Sequence, residues 1–180
     1  MSLAAHVRAM ARNNAASNHR LLTACCALDP AAVAARRTSF FPSIRATLNH
    51  ILTVDWYYLD ALTAGGRGLS CFEPEEPFAE VAALAAAQRA SDRDLVAFCD
   101  SLTDAALERP VRLDRGRRGI ELETVGTVLP HLFVHQIHHR GQVHAMLAGT
   151  EVRPPQLDEF FLSADAGLRA ADLAALGLDA

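Results

Sequence analysis

From Leu3 to Ala27 the chain runs without one proline or glycine, and Leu3, Val7, Met10 and Leu21 recur at helical spacing. The same grammar returns three more times. A second stretch opens near Pro42, which suits a first helical turn, and continues to about Thr63 before Gly65-Gly66 stops it. A third, alanine-rich, spans about Phe78 to Leu102, and a fourth runs from about Val125 to Leu147, closed by Gly149. Each stretch carries an apolar stripe that must be covered. Four such stretches in 180 residues cover one another as a bundle, so the expected fold is all-α, a four-helix bundle forming a single domain over residues 1–180.

The connections are informative too. Asp29-Pro30 ends the first helix, and a short linker containing Phe40-Phe41-Pro42 leads to the second. Arg67 to Pro77, with Pro74 inside it, reads as a crossover loop. A short helical turn is expected near Asp104–Arg109. Residues 111–123, VRLDRGRRGIELE, then alternate apolar and polar around Arg115-Gly116, which predicts a small hairpin or extended excursion before the fourth helix. A further short helix is expected near Ala166–Leu176 in the tail.

Charge and composition narrow the function classes. A net charge of −4 and a pI near 6.0 give no general attraction to phosphate backbones or anionic lipid, so no nucleic-acid partner is expected. No window approaches 18 uncharged apolar residues, so no membrane span is expected either. The start, MSLAAHVRAMARNN, meets His6, Arg8 and Arg12 before any apolar run forms, and a cytoplasmic location follows. Cys25, Cys26, Cys71 and Cys99 form no CxxC pair and read as reduced, buried thiols. Five arginines lie at 109, 112, 115, 117 and 118; they form either a solvated loop among Asp114, Glu121 and Glu123 or an anion clamp near a site mouth.

Five of the eight histidines fall in HLFVHQIHHRGQVH: His131, His135, His138, His139 and His144. At roughly 100° per residue, His135 and His139 sit about 40° apart, one turn above each other, so two imidazoles can reach one ion. Taking His135 as zero, Val128 and Met146 lie near 20°, Leu132 near 60° and Val143 near 80°, which puts the pair in the middle of the apolar stripe. Polar rings in a core need partners, and a shared metal supplies one. His131, His138 and Gln142 flank the pair, where they could orient the ligands. A third ligand should come from a facing helix. His50, on a face with Thr47, Val54, Tyr57 and Ala61, is the best candidate; His6 and His19 on the first helix are alternatives set among polar residues. A metalloprotease helix has Glu after its first His; here Gln136 stands there and cannot take a proton, which excludes that reading.

The run HLFVHQIHHRGQVHAML resembles the HxxxHHRGQ signature of the DinB (damage-inducible) family, with YfiT-like proteins as relatives. FFPSIRATLNHILTVDWYYL is similar to the family's second-helix block, and Asn14 and Asn18 in ARNNAASNHRLL resemble its first-helix pattern. The likeness covers about residues 8–62 and 124–150 and departs from the commonest pattern at Val134 and Ile137, neither a ligand. It implies an up-down-down-up bundle, commonly a homodimer, and a divalent metal held by three histidines that map onto His50, His135 and His139. Characterised relatives include thiol-dependent S-transferases and a thiol-dependent maleylpyruvate isomerase, and the family name does not imply DNA binding.

Two functions follow as expectations. The first is a metal-dependent enzyme, a thiol-dependent S-transferase or hydrolase acting on a small molecule. Three neutral histidines leave a fourth position open on zinc, and equally on nickel, iron or manganese, with a low-molecular-weight thiol as possible cofactor. Tyr57, Tyr58, Gln142, His131 and His138 are candidate proton or orientation partners, with no general base singled out. The second is a non-catalytic, metal-stabilised homodimer that binds a small molecule or protein. Phe133 and Ile137 on the fourth helix, and Leu48, Leu52 and Leu59 on the second, point away from the metal face and need a second covering surface: a partner subunit, or the tail and hairpin.

Overall fold

The computed structural model describes residues 2–158 and 162–178. Its elements in chain order are α1 (Leu3–Cys26), α2 (Pro30–Ala34), α3 (Ile44–Thr63), α4 (Val81–Asp100), β1 (Pro110–Asp114), β2 (Ile120–Thr124), α5 (Val125–Leu147) and α6 (Ala166–Leu176). The long helices form a ring in which α1 packs on α4 and α5, and α3 packs on the same two. This is the mostly helical bundle expected, with the hairpin in the expected place. None of the described helices is long and apolar enough to cross a membrane.

Three boundaries move for identifiable reasons. Pro42 lies outside α3, because the Ser43 hydroxyl accepts the Ala46 N–H at 3.1 Å and makes Ser43 the cap. Asp29-Pro30, expected only to stop α1, also starts α2: Asp29 Oδ1 accepts the Ala31 N–H at 2.7 Å with proline in the first turn. The third long helix is shorter than Phe78–Leu102, since the Phe78 N–H and C=O are engaged at 2.9 Å each by the Asn49 side chain.

The core has three storeys. One apolar cluster joins Val7, Ala11, Leu59, Leu62, Leu95, Cys99, Leu129 and Leu132; the other joins Leu21, Leu22, Ile44, Ile51, Leu84, Val143 and Leu147. Between them every long helix contributes buried polar groups: Asn14 and Asn18, Asp55, Gln88 and Asp92, Gln136 and Arg140. The second apolar faces offered to a partner subunit are mostly filled by the chain itself. Leu48, Leu52, Leu59 and Phe133 are buried, while Ile137 is 52% exposed and its neighbour Val134 is 66% exposed. Three of the four cysteines are buried and Cys26 is exposed; all four are free.

The antiparallel hairpin pairs Val111 with Glu123 and Leu113 with Glu121. Its turn runs through Gly116 at φ +62° and Gly119 at φ +79°, backbone that side-chain-bearing residues rarely adopt. Val111 and Leu113 bury one face against α3 and α5, while Ile120 and Leu122 stay exposed.

Candidate metal centre

His50 comes from the first half of α3, and His135 and His139 from the middle of α5. Their ligating atoms all lie within 4.8 Å of one another, a group able to hold a divalent metal ion. His50 Nε2 and His135 Nε2 approach to 3.1 Å. Two nitrogens each about 2.0–2.1 Å from one ion at a tetrahedral angle stand about 3.3 Å apart, so the spacing fits shared coordination. His139 Nδ1 contacts Gln142 Oε1 at 2.8 Å, which leaves Nε2 for the ion. That contact is the kind of support metal-ligating imidazoles receive. His135 lacks it: its Nδ1 is buried without a partner among the described residues.

The rings are held from several sides. Phe41 packs against His50 at 4.3 Å and His139 at 5.6 Å between centroids, and His138 stands edge-on to His139 at 4.8 Å. Burial lowers His135 to about 3 and His50 to about 4, with neighbouring histidines adding to it. His139 is lowered as well, chiefly by burial. All three rings are therefore neutral near pH 7, the state a metal ligand needs. His6 and His19 lie on α1 outside the cluster.

Contrary to the expectation from periodicity, the pair does not occupy the middle of the buried face of α5. Its buried residues, from Val128 through Leu132, Gln136, Arg140 and Val143 to Met146, centre roughly 90° from His135. Gln136 and Val143 mark that centre, and the histidines sit at its edge. The edge position opens the site. A cavity of about 380 Å³ is lined by His50 and His135 together with Val54, Tyr57, Tyr58, Leu69 and Phe72, and the hairpin supplies Asp114, Arg115 and Arg118 to its rim. Tyr57 Oη donates to the Asp114 carbonyl at 2.6 Å, tying hairpin to α3, and Arg115 Nη1 donates to Tyr58 Oη at 3.3 Å. Of the flanking candidates, Gln142 touches a ligand and His138 touches Gln142 at 3.1 Å, while His131 packs on Tyr58 at 5.3 Å.

The polar storey behind the histidines was not anticipated as a unit. Arg140 Nη1 donates to the Asn14 side-chain oxygen, to Asn18 Oδ1 at 3.1 Å and to Gln136 Oε1 at 3.2 Å. Gln136 Nε2 donates to Asp55 Oδ1, and Gln88 Nε2 donates to Asp55 Oδ2 at 2.6 Å. Asp92 Oδ1 accepts from Asn18 at 2.9 Å and Asn14 at 3.2 Å. The two buried carboxyls thus feel one guanidinium without touching it, since Arg140 bonds to the amides of Asn14, Asn18 and Gln136, which in turn donate to the acids. Burial holds Asp55 up to about 7, with Asp92 adding to it, and holds Asp92 up to about 6; burial also lowers Arg140, against the pull of both acids. In the sequence Asn14 and Asn18 show only as a first-helix pattern, and Gln136 only as a residue unable to act as a base.

A sequence model of the DinB family matches residues 1–167. Among solved structures, the fold is similar to a DinB-like protein from Bacillus cereus ATCC 10987, at a TM-score of 0.63 and 18% identity, covering 79% of this chain and 89% of that one. No curated protein matches the chain. With the bundle, the hairpin and the three clustered histidines in place, the chain belongs to the DinB family.

Proposed function

We propose that the protein is a metal-dependent enzyme, a thiol-dependent S-transferase or hydrolase, working on a small molecule in the cavity beside His50 and His135. The observation that carries this reading is the cavity itself. Two of the three histidines line it, whereas a purely structural metal would sit under a closed apolar cap. His50, His135 and His139 would hold the ion, zinc on the donor set, with nickel, iron or manganese admitted by the same ligands. When bound, a divalent ion supplies Lewis acidity that favours the deprotonated form of a water or thiol at the open position.

The protein's own groups do the remainder. Gln142 fixes the His139 ring, Phe41 covers one side of the cluster, and Tyr57 and Tyr58 face the cavity as hydrogen-bonding groups. The chain's cysteines are poor sources of a reacting thiolate. None lines the cavity, and burial pushes Cys25 and Cys99 up to about 12. The thiol in this reading is therefore a separate low-molecular-weight compound. The proposal includes a single domain over residues 1–180 and a cytoplasmic location, which free cysteines fit.

Protein purified without a nickel column should carry close to one metal per chain, lost in His135→Ala. A panel of electrophiles with glutathione or related thiols should then show turnover that stops on chelation. Metal without such turnover would favour the second reading, a non-catalytic metal-stabilised homodimer. That reading draws on Val134 and Ile137, which leave an apolar strip on the outer side of α5. Sedimentation of Ile137→Glu against the wild type tests the dimer in either case.

A further inference from the structure

We propose that Arg115 is the recognition point for a carboxylate on the small molecule that enters the cavity, which makes it the residue that selects the substrate class. The inference rests on the metal-site reading above. Arg115 stands at the cavity rim with a guanidinium whose five N–H donors form a rigid fork suited to carboxylate. Its close neighbours are phenols: Nη1 donates to Tyr58 Oη at 3.3 Å, and Tyr57 lines the same cavity beside it. Its acidic partner is shared and distant. Glu121 Oε2 lies 3.9 Å from Arg115 Nε, while Glu121 Oε1 is held by Arg118 Nη2 at 2.6 Å. Asp114, the acid among the cavity's lining residues, accepts the Gly116 N–H on Oδ1 at 2.9 Å and so serves the turn. One loosely placed carboxylate for two guanidiniums leaves Arg115 able to take another.

The position is also fixed. The Tyr57 bond to the Asp114 carbonyl anchors the hairpin to α3 seven residues, on the order of 10 Å of helix rise, from His50. Val54, Leu69 and Phe72 supply apolar wall in the same cavity. A ligand matching this layout has a carboxylate at one end, a short apolar body, and its reacting atom at the histidines. Charge points the same way: three neutral imidazoles leave a divalent ion's charge uncompensated, so cation and arginine together favour an anion. The carboxylate can belong to the thiol or to its reaction partner, and the test separates them.

The test uses full-length, zinc-loaded protein titrated calorimetrically with 6-mercaptohexanoate, 6-mercaptohexanol and hexanoate. The mercapto acid should bind at least about tenfold more tightly than the mercapto alcohol, the size of one charge-assisted pair. Arg115→Gln should erase that preference with zinc content and mercaptohexanol affinity unchanged. Arg112→Gln, exposed on β1 in the same hairpin, should leave the preference intact and so controls for charge and hairpin folding. Mercaptohexanoate binding tighter than hexanoate assigns the carboxylate to the thiol; equal binding, with hexanoate lost in Arg115→Gln, assigns it to the partner substrate. Equal affinities for acid and alcohol, or a preference that survives Arg115→Gln, would overturn the proposal. A wild type that takes no zinc overturns the metal reading instead. Hexanoate titrated into that metal-free protein still decides on Arg115, since binding lost in Arg115→Gln supports the clamp and absence of binding rejects it.

Discussion

His135 and His139 meet His50 at the edge of the bundle, whereas their immediate successors Gln136 and Arg140 turn into its closed centre. One residue of helix rotation, roughly 100°, separates the two clusters. The outer one is neutral, faces a cavity and leaves His135 Nδ1 unpartnered. The inner one is charged, and the Arg140 guanidinium bridges side chains of α1 and α5 while Gln136 and Gln88 reach Asp55 from α5 and α4. The difference teaches a division of labour. The outer cluster keeps ligand capacity in reserve. The inner cluster uses directional bonds to set the rotation and height of α5 against its neighbours, and thereby where the histidines stand. A layer of aliphatic side chains would pack there at less desolvation cost, but it would tolerate small slips of α5 more easily.

The sharpest way to break this comparison is to remove one member from each side. His135→Ala should abolish stoichiometric metal binding, and with it the rise in thermal midpoint that zinc gives the wild type. Without metal, the variant should lie within about 1 kcal/mol of the wild type, because the lost ring carries an orphaned polar nitrogen. Arg140→Leu should do the reverse. It strands two buried carboxyls and should cost about 3–5 kcal/mol by urea denaturation at a pH where both are ionised. Its folded fraction should still bind metal, more weakly, as α5 loses its register. If Arg140→Leu leaves stability unchanged, the inner cluster is not the support described.

The two clusters were unequally legible in the sequence, for a physical reason. His135 and His139 stand out because imidazoles one turn apart beside Val128 and Leu132 have few uses. The bounds of α5 are equally plain, with Thr124 accepting the Thr127 N–H at 3.2 Å to start it and Gly149 just beyond its end. Gln136 and Arg140 mislead any reading that sorts residues by polarity, since they occupy the centre of the buried arc while Val134 and Ile137 face out. Their burial depends on Asp55, Asp92, Asn14 and Asn18, which lie scattered over three other helices. No local period could assemble them. The hairpin was visible as alternation around Arg115-Gly116, but that it roofs the histidine cavity depends on long-range contacts, the bonds to Tyr57 and Tyr58 among them. The five-residue α2 is too short to leave a period at all.

A smaller effect sharpens the contrast within the outer cluster. Gln142→Ala removes the acceptor that orients His139 and should weaken zinc about 10–100-fold in chelator competition, with metal-free stability nearly unchanged. An effect as large as that of His135→Ala would make Gln142 a ligand, not an orienting group.

The smallest expected effect is on acid stability, because the two clusters oppose each other. Asp55 near 7 and Asp92 near 6 both lie above the unfolded value of about 3.9, so the folded state takes up protons first as pH falls. Their contribution is complete below about pH 4 and is lost as pH rises through their folded values. His50 near 4 and His135 near 3 lie below the unfolded value of about 6.5, so their contribution is complete above that and is lost as pH falls through their folded values. Between about pH 4 and 6.5 the slopes offset, and the metal-free wild type should show a shallow urea-midpoint profile. Asp55→Asn removes one carboxyl slope without touching a histidine. Its midpoint relative to wild type should be highest near about pH 7.5, where Asp55 would be ionised, and should decline toward about pH 4.5, where the wild-type group is protonated. A difference that does not change with pH would mean that Asp55 stays ionised throughout. Arg140 would then serve both carboxylates at full charge, and the inner cluster would be a rigid ion triad with no proton to give or take.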